Sequence, residues 1–365
     1  MTRPLRVAFL TSARTWRGSG VSLASVAEGL REHGHAPHML AGDAEVVDAF
    51  TALGLPSGRV PTGNTGLREA GALARTLRRI GADAVLVDRP RDLRLASLAS
   101  LLYPVAIVNC YNLSRSRPPS DPLTRLAYRR VGLTIFVSET SAARALRLAA
   151  YLRRRPHRVI RGAVDAERFR PDADAAAAFR EARGLGATPF VLAVGSLTLD
   201  KRYDFLLDAW SRLGAEAPPL LVCGDGAHRD RLRERARELG VPVRFLGYLT
   251  PDELRGAYNA ATCFVHAGAV ETFGLSVLEA MACGRPVLSV SGGAVPEVID
   301  AAGLLAPVED MDGFIAHLRE LLCTASRRAA LGAAARRRVL DHFSLRVMRR
   351  AYADAVEAVV RHDRR

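Results

Sequence analysis

Short, continuous runs of apolar residues recur along the chain and alternate with longer stretches whose apolar residues are three or four positions apart. A short apolar run is typical of a buried strand, whereas the wider spacing is typical of a helix. The runs predicted to be strands are 7–10, 84–87, 105–108, 133–137, 190–194, 220–223, 243–246, 263–265 and 287–290. Because these runs are apolar on both faces and separated by helices, the pattern predicts parallel sheets covered by helices on both sides.

The alternation continues over 365 residues, which is more than one ordinary hydrophobic core holds. We predict an α/β protein of two Rossmann-like, doubly wound parallel-sheet domains, 1–165 and 166–343. The segment 344–365 has helical spacing and no strand after it, so it is predicted to be a terminal helix that packs back toward the N-terminal domain. Ligands of such sheets bind beyond the carboxyl ends of the strands, and we therefore expect a ligand in a cleft between two facing domains.

Composition limits the class of protein. Hydrophobic residues make up 49% of the chain and charged residues 25%, which is typical of a folded globular protein. No apolar run approaches the roughly 18 residues of a membrane span, and the first run is too short for a signal peptide, so a cytoplasmic location is expected. The cysteines lack metal-ligand spacing, and the tract His33, His35 and His38 is interpreted as solvated surface. No metal and no cofactor are expected.

The formal net charge is +14, and all but one of the 52 basic residues are arginine. We interpret part of this charge as compositional bias, although the remainder still favours anionic partners. The region 115–161 holds twelve arginines against Asp121 and Glu139 alone, and positions 144, 147, 151 and 154 predict one basic helix face. Contact with an anionic membrane, contact with a phosphorylated acceptor and a plain solvated surface all fit this pattern. Nucleic acid is not expected, since aromatic residues do not interleave, and no oligomeric state is indicated.

The strongest chemical pattern is VHAGAVETFGLSVLEAMACGRPV at 265–287. A strand is predicted to end near Val265 and a helix to begin around 273–275, with Thr272 as candidate N-cap. The free amides at the start of a helix form an anion site that suits a diphosphate. Glu271 precedes the helix and Glu279 lies one turn inside it, so the two carboxylates bracket an elongated ligand rather than form an acid/base pair. The alternative interpretation is an amphipathic helix with one solvated glutamate.

A second glycine-bearing turn, SGGAVPEVI at 291–299, follows the next strand. The two motifs together resemble glycosyltransferase family 4, whose members are retaining enzymes of the GT-B fold. Further matches are LAVGSL at 192–197 with Lys201, VCGDG at 222–226 and FLGY at 245–248. A weaker match, FVSE at 136–139 followed by 159–171, extends the resemblance across the predicted domain boundary.

The resemblance implies a donor site in the second domain. Glu271 then contacts the transferred sugar, Glu279 binds the ribose hydroxyls, and Lys201, the only lysine of the chain, neutralises the diphosphate. A compact ammonium and a forked guanidinium are not equivalent beside a crowded phosphate. The remaining donor contacts that the resemblance implies are the amides of Phe273, Gly274 and Leu275, Tyr248 beside the base, and the glycine-rich turn with Gly18 and Gly20.

The chain departs from the family pattern at three places. Ser196 stands where the family commonly has arginine, and Arg202 is the candidate to compensate. Tyr111, followed by Asn112, stands nearest to a histidine that many members carry in the first domain, so both are predicted on the acceptor side. A His-Ala-Gly sequence beginning at His266 replaces a commoner Pro-Ser.

We therefore expect a metal-independent retaining transferase that moves a sugar from a nucleotide diphosphate sugar to a small molecule, such as a natural product or glycan precursor, or to a lipid. The resemblance also implies that the donor phosphate helps to take the proton of the acceptor. The alternative, motivated by Ser196 and Tyr111, is a catalytically weak nucleotide-sugar-binding or partner subunit of the same fold.

Overall fold

The computed structural model describes residues 3–16, 18–111, 118 and 121–363. The chain divides into two compact units. Unit 1 combines Met1–Arg161 with Leu345–Arg365, and unit 2 is Gly162–Ser344. The division thus falls between Arg161 and Gly162, slightly before the predicted boundary after residue 165.

The unit 1 sheet has seven strands in the described part of the chain, and all its pairings are parallel. They are β1 Arg6–Thr11, β2 Ala36–Ala41, β3 Ser57–Arg59, β4 Ala84–Val87, β5 Ala106–Tyr111, β6 Val131–Phe136 and β7 His157–Val159. The order β3-β2-β1-β4-β5-β6-β7 reverses direction between β1 and β4, as in a doubly wound sheet. The helices are α1 Gly18–Glu32, α2 Ala44–Ala52, α3 Leu67–Ile80, α4 Pro90–Leu102, α5 Pro122–Tyr128, α6 Glu139–Leu148, α7 Ala150–Arg153 and the C-terminal α16 Leu345–Asp363.

Unit 2 contains a second parallel sheet, of six strands among the residues described. They are β8 Val191–Val194, β9 Leu220–Cys223, β10 Val243–Gly247, β11 Cys263–His266, β12 Val287–Val290 and β13 Leu304–Ala306. Their order, β10-β9-β8-β11-β12-β13, reverses between β8 and β11. The helices are α8 Ala173–Ala182, α9 Tyr203–Leu213, α10 Arg229–Glu238, α11 Pro251–Ala260, α12 Leu275–Ala282, α13 Val295–Ile299, α14 Met311–Cys323 and α15 Ala325–His342.

The strands predicted from apolar runs are confirmed, and the parallel, doubly wound fold class with them. Strands such as β4 and β12 are fully buried, because helices cover both faces of each sheet. The apolar runs did not include β2, β3, β7 and β13. The sequence of β2, APHMLA, contains a proline and a histidine, so it does not form a continuous apolar run. The other three are edge strands of only three residues, so an apolar run on both faces is not required of them.

The first residues of unit 2 pair with its last residues, which explains why the boundary lies before residue 165. Val164 pairs with Ser344 in a parallel bridge, and its N–H donates to the carbonyl of Phe343 at 2.9 Å. The chain after Ser344 forms α16, which packs on α1 within unit 1. Gly29 of α1 is in such close contact with Arg349 that a Cβ at position 29 would lie 2.4 Å from the Arg349 side chain.

The single basic helix predicted across 141–155 is wrong. The backbone at Ala149 is extended (φ −135°, ψ 96°), and this residue separates α6 from α7. Ala149 is buried, so the break carries the chain into the hydrophobic core of unit 1. Arg144 and Arg147 therefore do not share one helix with Tyr151. Among the described residues, no helix has both the length and the hydropathy that crossing a membrane requires.

Candidate functional site

The turn from β11 to α12 in unit 2 is built on glycines. Gly274 precedes the helix with φ +91°, a left-handed conformation that glycine adopts without strain, and no side chain caps the helix. The sequence predicted Thr272 as the N-cap, but the N-cap is Gly274. Because a left-handed glycine offers no side-chain acceptor, the first-turn amides of α12 are available to a bound anion.

The second glycine turn supports the segment that carries Glu271. A Cβ at Gly293 would lie 2.1 Å from the Glu271 carbonyl oxygen, and the N–H of Ala294 donates to that oxygen at 2.9 Å. A Cβ at Gly292 would likewise lie 2.2 Å from the carbonyl oxygen of Gly268. Only glycine fits at these two positions, which explains why the motif at 291–299 accompanies the motif at 265–287.

Lys201 and Glu271 form an ion pair at the carboxyl edge of the unit 2 sheet. The Lys201 Nζ donates to Glu271 Oε2, and the side chains are only 20% and 14% exposed. Lys201 lies in a short turn after β8, and Glu271 follows β11, the neighbouring strand. Parallel pairing of these two strands thus brings together residues that are seventy positions apart in the sequence.

His266, at the end of β11, lies next to this pair. Its Nε2 is 3.6 Å from Glu271 Oε2 and makes no hydrogen bond with the described residues. Burial lowers the pKa of His266 to about 4; Glu271 opposes this shift and Lys201 adds to it. The imidazole is therefore neutral near pH 7, and its contact with Glu271 is not an ion pair. The sequence had marked His266 only as a departure from the family pattern.

Glu279 is held from the neighbouring helix α11. The hydroxyl of Tyr258, a fully buried side chain, donates to Glu279 Oε2 at 2.7 Å. Loss of solvation raises the pKa of Glu279 to about 7, against the opposing effects of the Tyr258 hydrogen bond and of Arg168. Tyr258 lies twenty-one residues away on another helix, and no motif in the sequence indicated this partnership.

Among the described residues, no hydrogen bond or ion pair joins the Lys201–Glu271 pair to the other predicted donor residues. Ser196 is exposed at the end of β8, with its hydroxyl 3.3 Å from that of Thr198. Tyr248 follows β10 and is 79% exposed. The Phe273 ring is buried against Phe343, with centroids 6.0 Å apart, while Leu275 is largely exposed at the first position of α12.

Arg202 adopts a left-handed backbone (φ 53°) directly before α9. Its guanidinium donates to the Val308 carbonyl at 2.8 Å and to Glu309 at 3.1 Å, and it lies 5.0 Å from the centre of the Phe205 ring. Its contacts with described residues thus hold the turn after β13 and do not include the Lys201–Glu271 pair.

In unit 1, the predicted glycine-rich turn follows β1 and runs directly into α1, which begins at Gly18. Gly20 consequently lies in the first turn of the helix, where a Cβ would be 2.9 Å from the Trp16 ring. Tyr111, at the end of β5, is 5% exposed and packs on Phe136 at a centroid distance of 5.1 Å. Asn112 lies outside the described residues.

The predicted solvated surface for the three histidines is wrong for His35, which is 7% exposed. Its Nδ1 accepts from the Leu5 N–H at 3.3 Å, and its Nε2 is 3.2 Å from Glu357 Oε1 on α16. Among the described residues, no group of three or more His, Cys, Asp or Glu side chains is arranged to hold a metal ion.

Two buried carboxylates, Asp88 and Asp92, lie at the carboxyl edge of the unit 1 sheet, and no sequence pattern indicated them. Asp92, on the first turn of α4, accepts from the Ser12 N–H at 3.0 Å, and Asp88 directly follows β4. Burial raises the pKa of Asp88 to about 6. Burial and the nearby Asp88 raise the pKa of Asp92 to about 7.

Comparison with known proteins gives matches along most of the chain. Residues 177–338 match the model described as Glycosyl transferases group 1, and residues 16–168 match Glycosyltransferase Family 4. The chain is 34% identical over 245 residues to a GDP-mannose-dependent alpha-(1-6)-phosphatidylinositol monomannoside mannosyltransferase of Mycolicibacterium smegmatis, covering 62% of this chain and 63% of that protein. It is 36% identical over 195 residues to a D-inositol 3-phosphate glycosyltransferase of Saccharomonospora viridis, covering 49% of this chain and 45% of that protein.

Among solved structures, Anabaena HepE in complex with UDP superimposes with a TM-score of 0.85 at 17% identity, covering 97% of this chain and 100% of that one. The same protein in complex with UDP-glucose gives a TM-score of 0.80. At this identity the likeness establishes a shared fold. The alignments with the first curated relatives span only 52–63% of the length of those relatives.

Proposed function

Because this chain belongs to glycosyltransferase family 4 and has the GT-B fold, we propose that it transfers a sugar from a nucleotide diphosphate sugar, with retained anomeric configuration, to a small-molecule or lipid acceptor. The observation that carries this proposal is the partly buried Lys201–Glu271 pair, which lies beside an uncapped helix start. The pair combines a cation for the leaving diphosphate with a carboxylate for sugar hydroxyls.

The chemistry of the reaction explains this combination. As the bond between the anomeric carbon and the diphosphate breaks, negative charge grows on the departing phosphate. Groups that are already oriented toward that charge lower the barrier, because they need no rearrangement when it develops. In this proposal the Lys201 ammonium and the first amides of α12 supply the positive potential, and no metal ion is needed.

Glu279 fits the ribose of the donor. A carboxylate accepts hydrogen bonds from two vicinal hydroxyls, and the Tyr258 hydroxyl holds one of its oxygens in place. With its pKa raised to about 7, Glu279 exists in both protonation states near neutral pH, and hydroxyl donors favour the charged state. Donor binding and deprotonation of Glu279 are therefore coupled in this proposal.

The relatives guide the choice of donor. The mycobacterial relative uses GDP-mannose, and HepE was crystallised with UDP and UDP-glucose. A panel of GDP- and UDP-sugars, incubated with candidate acceptors and followed by nucleotide release, tests the activity. Proton NMR of the product, read at the anomeric position, tests retention. Donor binding without turnover over the whole panel would support the alternative, a nucleotide-sugar-binding subunit.

We extend the proposal to peripheral contact with an anionic membrane through unit 1. Helix α5 exposes Leu123 (65%) and Leu126 (57%) beside the exposed Arg125, Arg129 and Arg130. Apolar side chains flanked by arginines suit the interface of an anionic bilayer. Flotation with anionic vesicles at low salt, and its loss in a Leu123→Ser/Leu126→Ser variant, is the expected result. Absence of binding by the unsubstituted protein would exclude this role.

A further inference from the structure

A cavity of about 570 Å³ opens at the carboxyl edge of the unit 1 sheet, and the donor chemistry makes no use of it. The loops after β1, β2 and β3 and the first turn of α4 line it. Its polar side chains belong to Ser12, Arg14, Asp43, Arg59, Thr62 and Arg91. A volume of this size is typical of sites for small molecules, and the carboxyl edge of a parallel sheet is where such ligands bind.

The described lining of the cavity has a net positive charge, because three arginines face one aspartate. Arg14 and Arg91 make no hydrogen bond or ion pair with any residue that the structure describes. Arg59 donates only its Nε, to the Gly42 carbonyl at 3.1 Å, so the outer nitrogens of its guanidinium remain available. Asp43 is the one carboxylate among the described residues of the lining, and it accepts from the Glu45 N–H as the N-cap of α2.

The loops around the cavity are held by contacts in which the guanidinium groups of these arginines take no part. The N–H of Ser12 donates to the buried Asp92 at 3.0 Å, which holds the loop after β1. The loops after β2 and β3 touch so closely that a Cβ at Gly42 would lie 1.9 Å from Thr62 Oγ1. The site is therefore preformed, and its arginines come from three different elements: the loop after β1, the end of β3 and the first turn of α4.

We propose that this cavity binds the phosphate group of a small polyhydroxylated molecule, which is the acceptor. Three guanidinium groups around one space match the oxygens of a phosphate, because each presents paired N–H donors. The cavity is larger than a phosphate ion, and Ser12, Asp43 and Thr62 offer partners for hydroxyl groups on the remaining part. Identification of the ligand as the acceptor rests on the proposed transferase function, whereas phosphate recognition does not.

Isothermal titration with myo-inositol 1-phosphate, inorganic phosphate and uncharged myo-inositol tests the recognition. The phosphorylated polyol is expected to bind most tightly and the uncharged polyol at least about tenfold more weakly. Sedimentation with phosphatidylcholine vesicles, with and without phosphatidylinositol, separates the two sources of such a group. Binding of the soluble ester alone assigns a free metabolite, and additional binding of phosphatidylinositol vesicles assigns a lipid headgroup. If neither the soluble ester nor the phosphatidylinositol vesicles bind, the proposal is overturned.

The double variant Arg59→Gln/Arg91→Gln is expected to weaken binding of the phosphorylated polyol by about tenfold or more. Arg79→Gln provides a control, since Arg79 is an exposed arginine of the last turn of α3, outside the cavity lining. Equal losses in the double variant and the control, or equal binding of inositol and its phosphate, would overturn the assignment.

Titration of the double variant with a nucleotide sugar keeps the two proposals apart. Unchanged donor affinity together with lost phosphate binding supports the cavity site. Phosphate binding that depends on Arg59 and Arg91, in a protein that transfers no sugar, would remove the transferase proposal and leave the cavity site standing. Sugar transfer whose KM for a phosphorylated acceptor is unaffected by the double variant would remove the cavity site alone.

Discussion

At the carboxyl edge of the unit 2 sheet, Lys201 pairs with Glu271, and Tyr258 donates a hydrogen bond to Glu279. At the same edge of unit 1, the arginines around the cavity have guanidinium nitrogens without a hydrogen-bond partner among the described residues. Both sheets are doubly wound and reverse their strand order at a corresponding place, so topology alone does not produce this difference. It arises from the side chains that follow each strand.

The two arrangements suit different tasks. The Lys201–Glu271 and Tyr258–Glu279 pairs hold polar groups in fixed positions, which favours stabilisation of charge that develops during a reaction. Arginines without an ion-pair partner among the described residues instead favour an anion that arrives with its ligand. In our proposals, the edge of unit 2 therefore serves chemistry on the donor, and the edge of unit 1 serves recognition of the acceptor.

Loss of the Lys201 ammonium in unit 2 is expected to have the largest effect on activity. Lys201→Ala should lower kcat by about 100-fold or more, because the leaving diphosphate loses its nearest cation. Steady-state release of nucleotide measures this. Arg212→Ala, which breaks the exposed pair with Asp312 in the same unit, should leave kcat within about twofold. Comparable losses in the two variants would show that Lys201 has no special place in the site.

The buried carboxylate behind the unit 1 cavity should affect stability. Asp92→Ala leaves the Ser12 N–H without its acceptor and should lower the free energy of unfolding by about 1–3 kcal/mol in urea titrations. Asp92→Asn keeps an oxygen acceptor and should cost less than the alanine variant. Equal stability of the alanine variant and the unsubstituted protein would show that this contact does not hold the loop.

The pH dependence of the same carboxylate has a definite sign. Because the pKa of Asp92 is raised from 3.8 to about 7, the folded state retains a proton that the unfolded state has released. Between these pH values the free energy of unfolding therefore falls as pH rises. Urea titrations at pH 4.5, 6 and 7.5 measure the slope, and Asp92→Asn should reduce it.

Glu279 should couple donor binding to pH. With a pKa of about 7, its carboxylate forms between pH 6 and 8, and affinity for a nucleotide sugar should rise across this interval. Glu279→Gln should bind about tenfold more weakly at pH 8 and show a flat profile. Tyr258→Phe removes a hydrogen bond that lowers this pKa, so the rise should move to higher pH. An unchanged profile in the glutamine variant would contradict the assignment to Glu279.

The smallest effect is expected at Arg202. Since its guanidinium is bound to Val308 and Glu309, Arg202→Ala should change donor affinity by no more than about threefold in calorimetry. A tenfold loss would instead indicate that Arg202 contacts the diphosphate, as the resemblance implied. The unit 2 site would then bind an anion through an arginine, as is proposed for the unit 1 cavity.

The sequence by itself determined the fold class and much of the local structure from β11 to α12. Buried parallel strands need apolar residues on both faces, so β4, β9 and β12 were visible as continuous runs. The start of α12 near residue 275 was also visible, with Glu271 before it and Glu279 one turn inside. Its cap was not visible, because the residue type alone does not show that Gly274 adopts a left-handed backbone.

Only the tertiary structure decided which side chains meet. The partners Lys201 and Glu271, Tyr258 and Glu279, and Ser12 and Asp92 come from neighbouring strands or helices far apart in the sequence. Periodicity reports which face of an element is buried, but it carries no information about the residue on the next element. For the same reason, the arginines of the unit 1 cavity were indistinguishable in sequence from the other arginines of this chain.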